Sequence, residues 1–300
     1  MKQVVVLSGK GGTGKTSLVA SLAYLAGNEA VVVDADVDAP NLELLAESKP
    51  LFEEPLFWGR SAVIDYERCV HCLLCVSYCR FSALHVKEGL PEVDPRRCEG
   101  CGVCQRVCNF SAIEMRQELT GRFFISKTRW NNFLFHARLA PSGENSGKMV
   151  TYLRRKAEEK AKAEEKKYLL IDGSPGIGCT VISSMVGVDL ALLVSEPTLS
   201  GQHDLERIVA LARHFGIPHF VVVNKADLSL EGRNRIREFC SLQGIELIAE
   251  IPFDQQVLDA LMVGIPVIEY DHQSPFSQGT RKIWQKIRDF FQSAERSEIR

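Results

Sequence analysis

Net charge is nearly missing from this sequence of 300 residues: 36 basic side chains face 38 acidic ones, a formal balance of −2. No broad field is left to hold nucleic acid or an acidic membrane surface, so any affinity for phosphate has to be built locally. Long apolar runs are missing too, since nowhere do about 18 apolar residues follow one another as a membrane-spanning helix requires. The apolar stretch Val4-Val5-Val6-Leu7 is too short for a secretory leader, and a cytoplasmic location is the expectation. Disorder is the wrong class for a chain that is 45% hydrophobic and long enough to bury a large core. Without an export signal, ten cysteines point to metal rather than to disulfides.

What is present is a rhythm of short runs rich in Val, Ile and Leu at Val4–Leu7, Ala30–Val33, Leu169–Ile171, Leu190–Val194, Phe220–Val223 and Leu247–Ile251. They do not alternate, as expected of strands buried on both faces. Segments of helical spacing lie between several of them, such as Leu205, Ile208, Val209, Leu211 and Ala212, or Val257, Leu258, Leu261 and Met262. The expected fold class is α/β, a mostly parallel sheet with helices on both faces. Phe123–Ser126 and Phe133–His136 around Asn131-Asn132 read as a short hairpin. The charged stretch Arg154–Lys167, with Val150, Leu153, Ala157 and Ala161 at helical spacing, reads as a helix with one solvated face. From about Pro55 to Glu118 the rhythm breaks, and eight of the ten cysteines fall there. The expected division is therefore 1–54, an insertion 55–118, and 119–300.

The first run leads into Gly9-Lys10-Gly11-Gly12-Thr13-Gly14-Lys15-Thr16-Ser17 and a helix-patterned Leu18–Leu25. This matches the phosphate-binding loop G-x-x-x-x-G-K-[ST] in its required strand-loop-helix setting. Glycines let main-chain N–H groups turn inward, the helix adds its positive end, Lys15 brings a mobile cation, and the Thr16 hydroxyl suits Mg2+. Asp34-Ala35-Asp36 and Asp172 each close an apolar strand at the end where such sheets bind ligands. Asp172 is expected to hold the Mg2+ shell and to run into a flexible turn, Gly173-Ser174-Pro175-Gly176. Asn224-Lys225-Ala226-Asp227 fits the N-K-x-D pattern that reads guanine, although an Asn amide can equally pair with adenine and Asp227 can cap a helix starting near Ser229.

Cys69, Cys72, Cys75 and Cys79 follow C-x2-C-x2-C-x3-C, and Cys98, Cys101, Cys104 and Cys108 repeat it 29 residues on. Asp65, Arg68, Phe81, Ser82 and Ala83 recur as Asp94, Arg97, Phe110, Ser111 and Ala112, so the segment is an internal duplication. In the two-cluster ferredoxin pattern the fourth cysteine of each run ligates the other cluster. One 4Fe-4S cluster is then expected on Cys69, Cys72, Cys75 and Cys108, and the second on Cys98, Cys101, Cys104 and Cys79. Paired zinc knuckles are the competing reading. The proline usual after the fourth cysteine is replaced by Arg80 and Asn109.

With these motifs in hand, the chain resembles the MinD, ParA, Mrp and nitrogenase iron protein superfamily, whose deviant P-loop carries an extra lysine where Lys10 stands. Asp34-Ala35-Asp36, Asp172-Gly173-Ser174-Pro175-Gly176 and Asn224-Lys225 match it in order, and the cysteine segment is similar to the ferredoxin domain inserted in one branch. Pro141–Lys148 and Glu196–Leu205 also look like that branch, and Pro252-Phe253-Asp254 resembles its second base-pocket wall. The resemblance implies an ATPase using ATP and Mg2+, in which two subunits close face to face over two nucleotides. Lys10 would reach the partner's nucleotide, Asp36 would position the attacking water, and Asp172 would fix Mg2+. It implies a homodimer, or a heterodimer with a paralogue; a switch and a cysteine module in one chain motivate coupling of hydrolysis to electron transfer or cluster assembly on a redox or scaffold protein, while the near-zero net charge argues against nucleic acid and a membrane partner is not favoured. The alternative is a positioning ATPase of the MinD/ParA kind with structural clusters. In that case the stripe Ile283, Trp284, Ile287, Phe290 and Phe291 would resemble a membrane-binding helix, whereas ordinary docking on the core is the simpler expectation. Cys179 is similar in place to the bridging cysteines of nitrogenase iron protein relatives, but a buried structural thiol is the plainer reading. Cys240, His71 and His203 are read as filler, solvated or capping residues.

Overall fold

Apolar runs without alternation offer no face to water, so strands made of them must be covered on both sides. The computed structural model of the chain, which describes residues 1–140 and 146–298, meets that demand with a nine-stranded sheet. The chain begins with β1 (Lys2–Ser8), α1 (Lys15–Ala26), β2 (Ala30–Asp34), a single turn α2 (Leu42–Leu45) and β3 (Lys49–Leu56). The cysteine segment supplies β4 (Gly59–Ile64), α3 (Leu74–Tyr78), β5 (Leu84–Lys87), β6 (Leu90–Val93), α4 (Val103–Val107) and β7 (Ile113–Glu118). Then come β8 (Gly121–Lys127), β9 (Phe133–Leu139), α5 (Ser146–Ala163), β10 (Tyr168–Pro175), α6 (Cys179–Met185), β11 (Leu190–Ser195) and α7 (Leu199–His214). The chain ends with β12 (His219–Asn224), α8 (Leu230–Leu242), β13 (Leu247–Ile251), α9 (Gln255–Met262), α10 (Val267–Tyr270) and α11 (Pro275–Glu298).

All six expected runs are strands. The sheet reads β13-β12-β11-β1-β10-β2-β9-β8-β3, and every pairing from β13 to β9 is parallel. The hairpin is present as β8 and β9, turned at Asn131 with φ 66° and closed by Thr128 N–H donating to Asn132 O at 3.0 Å. Register does the work of assembling the site, because Val6, Asp172 and Asp34 stand side by side on β1, β10 and β2. One expectation needs correcting: Gly173–Pro175 is not a loose turn but the end of β10, where Ser8 pairs with Pro175 beyond a bulge. Gly173 is there for packing, since a Cβ would come 2.3 Å from Leu7 Cδ2.

The main core lies between the sheet and the helices on either face. Leu18, Leu22 and Ala26 of α1 share a cluster with Val4, Val6 and Leu192 of the sheet and with Ile283, Trp284, Ile287 and Phe291 of α11. The C-terminal apolar stripe is thus docked on the core, and α11 continues as helix to Glu298, with Ile299 and Arg300 outside the described residues. Helix α5 buries Val150, Leu153, Ala157 and Ala161 and spaces Lys160–Glu164 and Lys162–Glu158 pairs, 2.7 Å each, along its outer face. Of the phrase Pro141–Lys148, the residues 141–145 lie outside those described. No helix among the described residues is long and apolar enough to cross a membrane.

The chain divides into two compact units, one formed by Met1–Glu53, Phe123–Arg138 and the residues from Ser146 onward, the other chiefly by Glu54–Arg122. In the second unit β4 pairs with β7 and β5 with β6, both antiparallel. The duplication is written into its backbone: His71 and Gly100, Leu73 and Gly102, and Ser82 and Ser111 all have positive φ at matching places. The halves also exchange hydrogen bonds, Asp65 N–H donating to Ala112 O at 2.8 Å and Asp94 N–H to Ala83 O at 2.7 Å. Ala62, Ile64, Cys75, Leu84, Cys104 and Ile113 form its small core.

Candidate nucleotide site and two cysteine-lined cavities

The loop between β1 and α1 needs glycine where its backbone turns left-handed, at Gly12 (φ 81°) and Gly14 (φ 85°). A Cβ on Gly14 would sit 2.4 Å from Asn224 Nδ2, whereas Gly11 and Gly12 face open space. Gly9 serves a different end, because a Cβ there would collide with Asp204 Cβ of α7 at 2.1 Å. Beside the loop lies a cavity of about 520 Å3, within the usual range for a small-molecule site. Residues Gly11–Ser17, Asp36, Asn224 and Lys225 line its polar side. The apolar side is built by Leu44 and Leu45 of α2, Phe253, Phe276, and Val257, Leu258 and Leu261 of α9.

Lys15 is buried and paired with Asp172 Oδ1, while Asp172 Oδ2, equally buried, has no hydrogen-bond partner. Asp34 fixes the following loop: its Oδ1 accepts from Asp36 N–H at 3.1 Å, and its Oδ2 from Asn41 and Leu42 N–H at 3.2 and 3.1 Å. Burial, reinforced by the neighbouring Asp172 charge, pushes the Asp34 carboxyl up to about 8. Burial also raises Asp36, against the pull of Lys15. Thr16 and Ser17 border the cavity, and the buried Thr13 hydroxyl has no partner.

Beyond the phosphate loop, the buried Asn224 donates through Nδ2 to Thr13 O at 2.8 Å, so it braces the loop. Lys225 Nζ donates to Gly12 O at 2.9 Å and meets Glu196 Oε1 at 2.5 Å. Asp227 does not cap α8, whose cap is the Ser229 hydroxyl accepting from Gly232 N–H at 3.0 Å. Instead its Oδ1 accepts from Phe253 N–H at 2.5 Å, which fixes an aromatic wall of the cavity. Pro252 is exposed and lies outside the lining, and Phe253 takes the place expected of it. Lys10 is not among the residues lining the cavity, and its Nζ lies 3.1 Å from Glu196 Oε2 and 3.4 Å from Thr198 Oγ1. Burial alone would raise the Glu196 carboxyl, but hydrogen bonds from Lys225 and Lys10 outweigh it and hold it below its ordinary value.

Glu196, Leu44, Leu45 and the α9 leucines were not singled out by sequence as site residues. The α9 spacing reads as a core stripe, and only the fold shows that part of it borders a cavity. Glu196 did carry a signal, an acid placed directly after the apolar run Leu190–Val194 and Ser195. Cys179 is exposed rather than buried, whereas Cys240 is buried, which pushes its thiol up to about 11. His71 and His203 are exposed.

In the cysteine unit, one cavity is bordered by Cys69, Cys72, Cys75 and Cys108 and another by Cys79, Cys98, Cys101 and Cys104. Each takes three thiols from one half of the duplication and the fourth from the other. Main-chain N–H groups point at sulfur, Ala112 to Cys108 Sγ and Ala62 to Cys98 Sγ, both at 3.4 Å. Burial would raise the Cys79 thiol, yet the N–H groups of Leu84, Phe81, Ala83 and Ser82 together lower it. All ten cysteines are free, and among the described residues no three His, Cys, Asp or Glu side chains converge closely enough to hold a single metal ion.

Residues 4–267 match the profile of the CobQ/CobB/MinD/ParA nucleotide-binding domain. An uncharacterized protein of Methanocaldococcus jannaschii is 32% identical over 290 residues, covering 96% of this chain and 97% of its own length. An iron-sulfur cluster carrier protein of the same organism is 26% identical over 136 residues, 41% of this chain and 46% of that protein. Among solved structures, the septum site-determining protein MinD of Pyrococcus horikoshii, complexed with Mg-ADP, superposes with a TM-score of 0.58 at 18% identity, covering 95% of both chains.

Proposed function

The chain belongs to the CobQ/CobB/MinD/ParA nucleotide-binding family, and on that premise we propose that it is an ATP-hydrolysing iron-sulfur protein that couples nucleotide-driven dimerisation to electron transfer or cluster assembly on a partner. The observation that carries this reading is the pairing, in one chain, of a P-loop cavity with two cavities each bordered by four cysteines. The cysteine unit is read as an inserted ferredoxin-like domain. Its thiols fit two 4Fe-4S clusters in the crossed sets Cys69, Cys72, Cys75, Cys108 and Cys98, Cys101, Cys104, Cys79, with N–H groups aimed at sulfur in the manner that tunes such sites. Such clusters, when bound, supply one-electron redox chemistry.

At the nucleotide site, the unpartnered Asp172 Oδ2 and the Thr16 hydroxyl fit the oxygen set of Mg2+, which when bound draws charge from the transferring phosphate. The loop N–H groups between Gly11 and Ser17 cradle the phosphates, and Lys15 exchanges its Asp172 partner for them. Asp36, half-buried at the cavity's edge, orients the attacking water. Asn224 and the Phe253 wall bound the base site. Asp227 lies outside the cavity lining and is turned to Phe253 N–H, which favours adenine over guanine as the base. Lys10 acts in trans, on the nucleotide of a second subunit.

Anaerobic purification followed by iron and acid-labile sulfide analysis tests the combined reading, with about eight of each expected per chain. Stoichiometric zinc without sulfide would overturn the iron-sulfur part and leave the ATPase part standing.

A further inference from the structure

Lys10 is held before it can act. Ser8 Oγ donates to Lys10 O at 2.9 Å, and the lysine ammonium is shared between Glu196 Oε2 at 3.1 Å and Thr198 Oγ1 at 3.4 Å. Glu196 is no casual surface partner. Its side chain is 9% exposed, and its other oxygen takes Lys225, which in turn donates to Gly12 O of the phosphate loop. Thr198 Oγ1 also accepts from Gly201 N–H at 3.0 Å as the cap of α7. One buried carboxylate therefore ties the loop, Lys10 and the approach to α7 together within a single subunit.

We propose that Glu196 is a positioning residue that parks Lys10 in its own subunit and sets the ATP concentration at which two subunits close. The inference rests on the reading of Lys10 as a trans-acting cation. Departure of Lys10 leaves Glu196 still paired with Lys225, so no buried charge is orphaned and the exchange is cheap. A carboxylate offers Lys10 one negative charge, whereas a partner's triphosphate offers several, and a diphosphate fewer. ATP thus has the differential affinity for the closed state that a switch requires.

Glu196→Gln removes the charge yet keeps an acceptor for Lys225, so the brace on Gly12 survives while Lys10 is loosened. Light scattering across an ATP titration should show Glu196→Gln dimerising at a roughly fivefold lower ATP concentration than the unaltered protein, the scale of one half-exposed ion pair. Glu196→Asp, which retains the charge, should return the threshold toward the unaltered value, and calorimetric ADP affinity should be the same in all three. An unchanged threshold in Glu196→Gln, or a loss of ADP affinity that runs parallel to it, overturns the inference and leaves Glu196 as a loop brace. An unaltered protein that remains monomeric with ATP overturns the functional reading and the inference with it. Dimerisation of the unaltered protein alongside an unshifted variant overturns the inference alone.

Discussion

Lys15 and Lys10 carry the same charge a few residues apart, and their surroundings give them different work. Lys15 is buried against Asp172 at the cavity, so Lys15→Ala should abolish nucleotide binding, and calorimetry showing unchanged ATP affinity would refute the site. Lys10 faces Glu196 instead, so Lys10→Ala should leave ATP binding nearly intact and lower turnover on the order of a thousandfold, as loss of a trans cation does. Mixed dimers of Lys10→Ala and Asp36→Ala subunits should recover part of the activity, because one composite site keeps both groups; no recovery would argue that Lys10 acts in cis. A third residue is informative by its titration. Burial holds the His136 imidazole at about 4 against an ordinary 6.5, with the Glu43 charge resisting and the Arg138 charge assisting. Below pH 6.5 the unfolded chain takes up a proton that the folded protein refuses until about pH 4, so the contribution of this one group to stability is complete above 6.5 and is lost as pH falls through that window, by up to about 3 kcal/mol. His136→Gln should remove that contribution, so its melting temperature should fall less, or rise more, than that of the unaltered protein as pH drops from 6.5 to 4, and an identical slope would show that His136 does not contribute. Sequence announced both lysines through the loop motif; Glu196 showed only as an acid after an apolar run, because its partners Lys10 and Lys225 lie far along the chain, and His136 gave no sign of the burial that sets its titration.

At the scale of elements, legibility followed burial. The strands β1, β2, β10, β11 and β12 are continuous apolar runs because both faces are covered, and the same composition made them readable. β3 was not readable, since Lys49–Leu56 is mostly exposed and carries two prolines, and its place in the sheet depends on its neighbour β8. α9 misled in another way: its apolar spacing is that of a core helix, but Leu258 and Leu261 remain partly exposed at the cavity. The C-terminal stripe of α11 is the reverse case, where Ile283 and Ile287 are fully buried in the main core. Ile287→Ala should therefore cost about 2–5 kcal/mol in chemical denaturation. A cost below about 0.5 kcal/mol, together with ATP-dependent binding of the unaltered protein to vesicles, would return the stripe to the membrane role. The cysteine duplication was legible as a repeat, because identical spacing leads to repeated backbone turns at Leu73 and Gly102 and at Ser82 and Ser111.

Over the whole molecule, the proposed function asks a nucleotide site and a cysteine unit to work together in one chain. β3 leads from the turn α2, which borders the nucleotide cavity, into the cysteine segment, and β8 leads out of it to the hairpin that rejoins β2. Asp34 holds the start of α2 through the N–H groups of Asn41 and Leu42. If nucleotide hydrolysis and the cysteine unit depend on each other, ATP turnover by anaerobically purified protein should change between its iron oxidised and its iron reduced. Turnover should differ severalfold between the two states, and the difference should disappear when Cys72 and Cys101 are replaced by serine. Equal turnover in both states would contradict that dependence.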